Sequence, residues 1–196
     1  EVLASIASEA NLQSCDTVLE IGPGLGTLTS HLLKDSEQVV AVELDADLAR
    51  KLPGQFPGKN LQVFNEDILD FDLSILPAGY KVVANVPYYI TSKIIQKLMT
   101  DKNPPEKVVI LIQKEVAERL AAKKGDLSIL AISAAIFAET KLGPVVPAKY
   151  FTPPPKVDSQ VVVLTRRAYP LVSSENQGDF FRVVNAGFSS KRKKIK

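Results

Sequence analysis

This chain predicts an α/β fold: a mostly parallel sheet with helices on both faces and an antiparallel end. Three observations carry that expectation. Apolar, strand-like runs alternate with segments of helical apolar spacing through most of the 196 residues, which is the pattern of a parallel sheet built from crossovers. Gly22, Gly24 and Gly26 stand at alternate positions between the first strand and the first crossover helix. After residue 137 the pattern turns to strand alone, and two strands flanking a proline-rich loop supply the antiparallel end.

The elements follow in order. Strands are expected near 17–21, 39–43, 61–64, 81–85 and 107–113, each rich in Val, Ile and Leu. Helices between them centre on Leu28, Leu48 and Ile95, where apolar residues recur at three- and four-residue spacing. A helix over about 115–122 leads into Lys123-Lys124-Gly125-Asp126, which reads as a turn. The apolar run 129–137 is far too short to cross a bilayer and reads as a core helix. Strands then run from Lys141-Leu142 toward Val146 and over 160–164, the second unbroken in its β-branched character and so well covered. Residues 180–187 again have a helical pattern.

Composition narrows the class. A chain that is 45% hydrophobic at this length buries one sizeable core. With no apolar run of membrane-spanning length and no basic-then-apolar leader, a cytoplasmic protein is expected. Cys15 is the single cysteine, so no intramolecular disulfide forms; it is expected to be a small buried hydrophobe. His31 is also alone and falls in the first crossover helix, so no metal site is expected. The net charge of +2 hides an asymmetry, because Lys191, Arg192, Lys193, Lys194 and Lys196 contribute five positive charges and leave −3 for the remainder. Such a segment fits a phosphate backbone, although a solvated, frayed end is the plainer reading.

The glycine turn points to a nucleoside ligand. Val18-Leu19-Glu20-Ile21 runs into Gly22-Pro23-Gly24-Leu25-Gly26, and the next strand ends at Glu43. Glycines there permit a tight turn and close approach of backbone to ligand. An acid at Glu43 can accept from both ribose hydroxyls of an adenosine. The nicotinamide fingerprint is G-x-G-x-x-G, whereas this chain has G-x-G-x-G; S-adenosylmethionine carries no pyrophosphate to dock, so the spacing favours it. Asp67, after the third strand, is suited to the adenine amine with Ile68 against the ring, its alternative being a solvated loop acid.

Asn85-Val86-Pro87-Tyr88-Tyr89 follows the buried run Val82-Val83-Ala84. Carboxyl ends of strands face the ligand crevice in open α/β sheets. An exocyclic base amine is a poor nucleophile because its lone pair is delocalised into the ring. Acceptors at the Asn85 side chain and at the backbone by Pro87 would pull the nitrogen toward tetrahedral shape and free that pair. Pro87 sets φ near −65°, and Tyr88 can stack on the base. Taken alone, the pentapeptide is equally a strand end followed by a turn.

At this point the chain resembles the ribosomal RNA adenine dimethyltransferases, in their small-subunit branch. The resemblance rests on four ordered motifs: 20–29 with its glycines, Asn85-Val86-Pro87-Tyr88, Gln113-Lys114-Glu115-Val116, and Phe151-Thr152-Pro153-Pro154-Pro155-Lys156-Val157-Asp158-Ser159. It implies a Rossmann-like, S-adenosylmethionine-dependent catalytic domain over 1–168. It implies that Glu20, Gly22, Gly24, Glu43, Leu44, Asp67, Ile68 and Asn85 hold the cofactor, with Asn85 also facing the target amine. Asn85, Pro87, Tyr88 and Phe151 form the catalytic set, the two rings sandwiching the adenine. Lys114 and the basic run Lys191, Arg192, Lys193 and Lys194 are placed on RNA, with Lys123 and Lys124 as further candidates beside the cleft. Family members often carry Asn where Tyr89 stands, which alters the pocket rim.

The implied partner is ribosomal RNA in a precursor of the small subunit, and the enzyme is expected to act as a monomer. Residues 169–196 read as a linker and the start of a basic helical RNA-binding domain, and the chain is expected to be a piece of a longer protein with that domain largely absent. Two rivals stand beside this expectation: methylation of large-subunit RNA conferring antibiotic resistance, and a non-catalytic RNA-binding factor of the same fold. The long 151–159 match argues against the first and the intact glycine and Asn85 motifs against the second.

If the basic run lies on phosphates, deleting residues 191–196 lowers the slope of log K for RNA against log salt by about 0.7 per phosphate lost on a single strand. RNA titration at several salt concentrations reads this directly. An unchanged slope would make the segment a solvated end.

Overall fold

The computed structural model describes residues 2–86, 89–122, 127–151 and 154–189. Pro87, Tyr88, Lys123, Lys124, Thr152, Pro153, Lys191, Arg192, Lys193 and Lys194 thus lie outside the described residues. The chain opens with α1 (Val2–Glu9) and continues β1 (Thr17–Ile21), α2 (Thr29–Asp35), β2 (Gln38–Glu43), α3 (Ala46–Lys51), β3 (Leu61–Asn65) and β4 (Lys81–Asn85). It then runs α4 (Thr91–Thr100), β5 (Lys107–Gln113), α5 (Lys114–Leu120), α6 (Ile129–Phe137), β6 (Ala138–Val146), β7 (Ser159–Arg166) and α7 (Ser174–Phe188).

All seven strands form one sheet in the order β3-β2-β1-β4-β5-β7-β6. The first five are parallel, while β7 is antiparallel to both β5 and β6. The last strand therefore inserts between the fifth and sixth, which produces the expected antiparallel end. Strand order reverses between β1 and β4, and in such sheets the crevice outside the carboxyl ends at that reversal receives the ligand.

Side-chain alternation divides the core between two faces. Leu19, Val40, Val82 and Val108 point to one face, where Ile94 and Leu98 of α4, Ala117 of α5 and Ala134 of α6 cover them. Val18, Val39, Val83 and Val109 point to the other, under Ile6 and Ala7 of α1 and Leu32 of α2. Burial on both faces is why these strands read as continuous apolar runs.

At the amino-terminal edge of the sheet Lys81 is buried, and its Nζ donates to Asp16 Oδ2 at 2.7 Å and to the Asn11 carbonyl at 3.0 Å. Burial would raise the Asp16 carboxyl, but Lys81 and the Gln13 amide together hold it below the usual range. This pair ties the segment after α1 to the sheet.

The structure corrects several expectations. Cys15 is exposed rather than buried, because it sits in the turn 14–15 before β1 enters the sheet. Leu28 is not a helix centre: it precedes α2 and is buried beneath the start of that helix. The strand expected from Lys141 starts at Ala138, directly from the end of α6. Helix α1 was not anticipated, since its eight residues are too few for a clear period.

Two glycines of the turn after β1 answer different demands. Gly26 has φ +80°, and a Cβ there would lie 2.7 Å from Leu52 Cδ1 and 3.0 Å from Phe56 Cε2. Gly24 has φ +56° with no atom within 4 Å of the same test position, so its open side is free for a ligand. Gly26→Ala is therefore a folding lesion, expected to cost about 2 to 4 kcal/mol from left-handed strain plus overpacking. Urea denaturation measures it, and a loss under about 0.5 kcal/mol, the ordinary surface range, would refute the packing role.

Candidate active site

Parallel register brings the candidate residues to one row. Ile21 lies opposite both Val42 and Ala84, and Glu43 lies opposite Asn65. The next step along each strand therefore sets Gly22 between Glu43 and Asn85, and the Gly22 amide donates to the Val42 carbonyl at 3.0 Å. A Cβ on Gly22 would stand 3.8 Å from the Asn85 carbonyl oxygen. Glu43, Gly22 and Asn85 thus share the carboxyl edge at the strand-order reversal.

A cavity of about 390 Å³ opens over this edge. Ile21 and Gly22 line it from β1, Val42, Glu43, Leu44 and Asp45 from β2, and Glu66, Asp67 and Ile68 from β3. Val86, Tyr89, Ile90 and Ile94 close it from the β4 side. Of the expected cofactor residues, Gly22, Glu43, Leu44, Asp67 and Ile68 are on its wall. Gly24, Glu20 and Asn85 are adjacent but not among the lining residues, and Asn85 is exposed at the end of β4.

Glu43 organises the rim. Its Oε2 accepts from the Gly24 amide at 3.0 Å and its Oε1 from the Asp45 amide at 2.9 Å. Each oxygen keeps a second lone pair for a ligand. Asn65 Nδ2 donates to the carbonyls of Glu43 and Leu44 at 2.9 and 3.0 Å, fixing the turn that presents Leu44. Asp45 then caps α3 by accepting from the Asp47 and Leu48 amides. Asp67 Oδ1 accepts from the Leu69 amide at 2.9 Å, which holds its carboxylate at the cavity. Sequence reasoning missed Asn65 and Asp45, although an Asn at a strand end and an Asp before a helical run are both visible in the chain.

Glu20 is the electrostatic anomaly of the site. It sits one residue before the end of β1 and is 0% exposed. Burial pushes its carboxyl up to about 7; Thr29 offsets part of the rise and the Glu43 charge adds to it. Thr29, also buried, is the polar group beside the Glu20 carboxyl, although no hydrogen bond of ordinary geometry joins the two side chains. Two acids, Glu20 and Glu43, thus flank the glycine turn. A cation is the ligand charge they favour, and a pyrophosphate is the charge they oppose.

At the far side of the same sheet edge, Asp158 links two motifs. Its carbonyl accepts from the Lys114 amide at 3.0 Å, and its Oδ1 accepts from the Ala148 amide at 2.9 Å. The short helical turn 148–150 held in this way leads into Phe151. Phe151 is half-buried against the core face that carries α1. Part of that ring therefore packs as core. Lys114 is exposed with Glu118 at 3.9 Å, a weak surface pair. Among the described residues no helix is long and apolar enough to cross a membrane, and no group of three or more His, Cys, Asp or Glu could hold a metal ion.

The comparisons with known proteins agree with this fold. Residues 1–196 match the model of the family described as ribosomal RNA adenine dimethylase. The chain belongs to this family. It is 40% identical over 198 residues to ribosomal RNA small subunit methyltransferase A of Dehalococcoides mccartyi, covering 99% of this chain and 68% of that protein. Among solved structures, a dimethyladenosine transferase from Plasmodium falciparum superposes with TM-score 0.87 and 31% identity, covering 99% of this chain and 70% of that one. The 23S rRNA methyltransferase ErmE superposes with TM-score 0.83 and 32% identity, covering 96% of this chain and 76% of that one. As an adenine dimethylase family member, the chain is a Rossmann-like methyltransferase.

The Glu20 carboxyl generates a pH prediction. Its folded value of about 7 exceeds the ordinary 4.5, so the folded state prefers the proton. The stability tied to that proton is present below 4.5 and lost as pH rises through about 7. Glu20→Gln is therefore expected to match the parent in acid and exceed it by roughly 3 kcal/mol at about pH 8. Urea midpoints of both proteins across this range test it; a pH-independent difference would mean that Glu20 keeps its charge at no cost.

Proposed function

We propose that this protein transfers methyl groups from S-adenosylmethionine to N6 of adenine in small-subunit ribosomal RNA, converting each target to dimethyladenosine. The observation that carries the reading is the row Glu43, Gly22, Asn85 beside the cavity, at the strand-order reversal of a dimethylase-family sheet. The residues suit the cofactor. Gly24 leaves open space at a positive φ, Glu43 and Asp67 offer carboxylate oxygens, Ile68 and Leu44 are apolar, and Glu20 and Glu43 favour a cation.

Bound S-adenosylmethionine would supply an electrophilic methyl group on a sulfonium. Glu43 would accept from the ribose hydroxyls and Asp67 from the adenine amine of the cofactor. The Asn85 side-chain oxygen and the backbone carbonyl by Pro87 would accept from the target amine, shaping it for attack and stabilising positive charge as it forms on nitrogen. No basic side chain is required, because the proton leaves to water once the nitrogen is cationic. Tyr88 and Phe151 would hold the base between two rings. Lys114 and the basic run 191–196 would meet phosphates, with residues 1–168 as catalytic domain and 169–196 as the start of the RNA-binding extension.

The choice of ribosomal subunit rests on the curated relatives. The two solved structures do not decide it, since their identities to this chain are 31% and 32%. Mass spectrometry of RNA from both subunits, after incubation with the enzyme and cofactor, is expected to find dimethyladenosine in the small subunit. Its appearance only in the large subunit would overturn the assignment.

Asn85→Ala is expected to lower turnover about a hundredfold to a thousandfold with the fold intact, the usual loss when one preorganised acceptor is removed. Glu43→Ala should act on cofactor affinity instead, read by calorimetry with S-adenosylhomocysteine. Near-normal turnover of the first variant, or unchanged affinity of the second, would remove that residue from its role.

A further inference from the structure

We infer that Tyr89 is the aromatic cover of the cofactor cavity, stacking on the adenine end of the nucleoside rather than on the RNA base. The inference rests on the cofactor reading above and adds a residue to it. Tyr89 stands just after the described end of the β4 motif and immediately before Ile90, the residue that precedes α4. It lines the cavity, yet it is 84% exposed. A ring that borders a cavity while most of its surface meets water has a free face to give to a ligand, and burying that face adds stabilisation absent from the empty protein.

Position decides which ligand. The cavity that Tyr89 borders is lined across from it by Leu44, Asp67 and Ile68, from the ends of β2 and β3. Those are the elements on the side of the sheet away from β5, β7 and Phe151. Ile68 is buried and supplies a fixed apolar floor, whereas Leu44 is 67% exposed and, like Tyr89, borders the mouth. An adenine ring between a buried aliphatic floor and an exposed aromatic cover gains stacking on one face and dispersion on the other. Asn85 and Phe151, by contrast, are not among the residues lining this cavity. A ring at the mouth of the cavity that Asp67 and Ile68 line is thus placed for the nucleoside of the cofactor and not for the target base.

The test compares Tyr89→Ala and Tyr89→Phe with the parent. Tyr89 is exposed, so both variants are expected to keep the parental melting temperature. Base–aromatic stacking corresponds to roughly a tenfold effect on affinity. Calorimetry with S-adenosylhomocysteine should show affinity about tenfold weaker for Tyr89→Ala and within about twofold of the parent for Tyr89→Phe. The KM for RNA at saturating cofactor should stay unchanged in both. Unchanged S-adenosylhomocysteine affinity with a raised KM for RNA would assign the ring to the RNA base and overturn the inference. An equal loss in both variants would also overturn it, because the hydroxyl and not the ring face would then carry the contact. A parent protein that binds no S-adenosylhomocysteine would instead refute the cofactor reading itself, so the two failures are distinguishable.

Discussion

The Glu43 carboxylate accepts from the Gly24 amide and from the Asp45 amide at once, and this bridge is possible only because β1 and β2 pair in parallel with Ile21 opposite Val42. One side chain thereby fixes the glycine turn above β1 and the turn that leads into α3. Hydrogen bonds from amides to an ionised carboxylate are stronger than neutral ones. The bridge also keeps the carboxylate facing the cavity, where its remaining lone pairs are available. Asn65 extends the bracing to β3 through the carbonyls of Glu43 and Leu44. The ligand face is thus assembled from three strand ends held together by polar contacts, above a core that is apolar on both sides of the sheet.

Charge at the rim is arranged against the stability of the empty protein. Glu20 is buried, Thr29 offsets only part of its desolvation, and Glu43 is near enough to raise its carboxyl further. A sheet built for stability alone would carry an apolar residue at such a position. Functional sites are where buried acids of this kind concentrate, and such acids favour a ligand that brings positive charge or donated hydrogen bonds. The foot of the sheet shows the opposite solution, because buried Lys81 has Asp16 at 2.7 Å and the Asn11 carbonyl at 3.0 Å. That end is paired and structural, while the carboxyl end is left with acceptors to spare.

The described part of the 151–159 motif serves packing. Asp158 pins the start of α5 and the turn before Phe151 with one backbone and one side-chain acceptor. Phe151 is half-buried on the core face carrying α1, so a ring proposed to face the base also closes the end of the core. The two roles are compatible, since a plate held by packing on one side loses little freedom when a base stacks on the other.

By itself the sequence determined the strand succession, the glycine turn and the identities of the acids at the strand ends. Continuous β-branched runs and glycines in a fixed spacing are local signals, and a parallel sheet buried on both faces writes them strongly into the chain. It also carried the family, because four motifs in order are legible without any contact being known. Only the tertiary structure decided which residues share the cavity. Register set Gly22 between Glu43 and Asn85, and no local pattern encodes register between strands far apart in the chain. The exposure of Cys15 escaped for the same reason, as did the brace from Asn65. Each depends on where the neighbouring segment lies, which a one-dimensional pattern of apolar residues does not contain. The burial of Glu20 was equally hidden, since a Glu inside a strand reads the same whether its carboxyl meets water or the underside of α2.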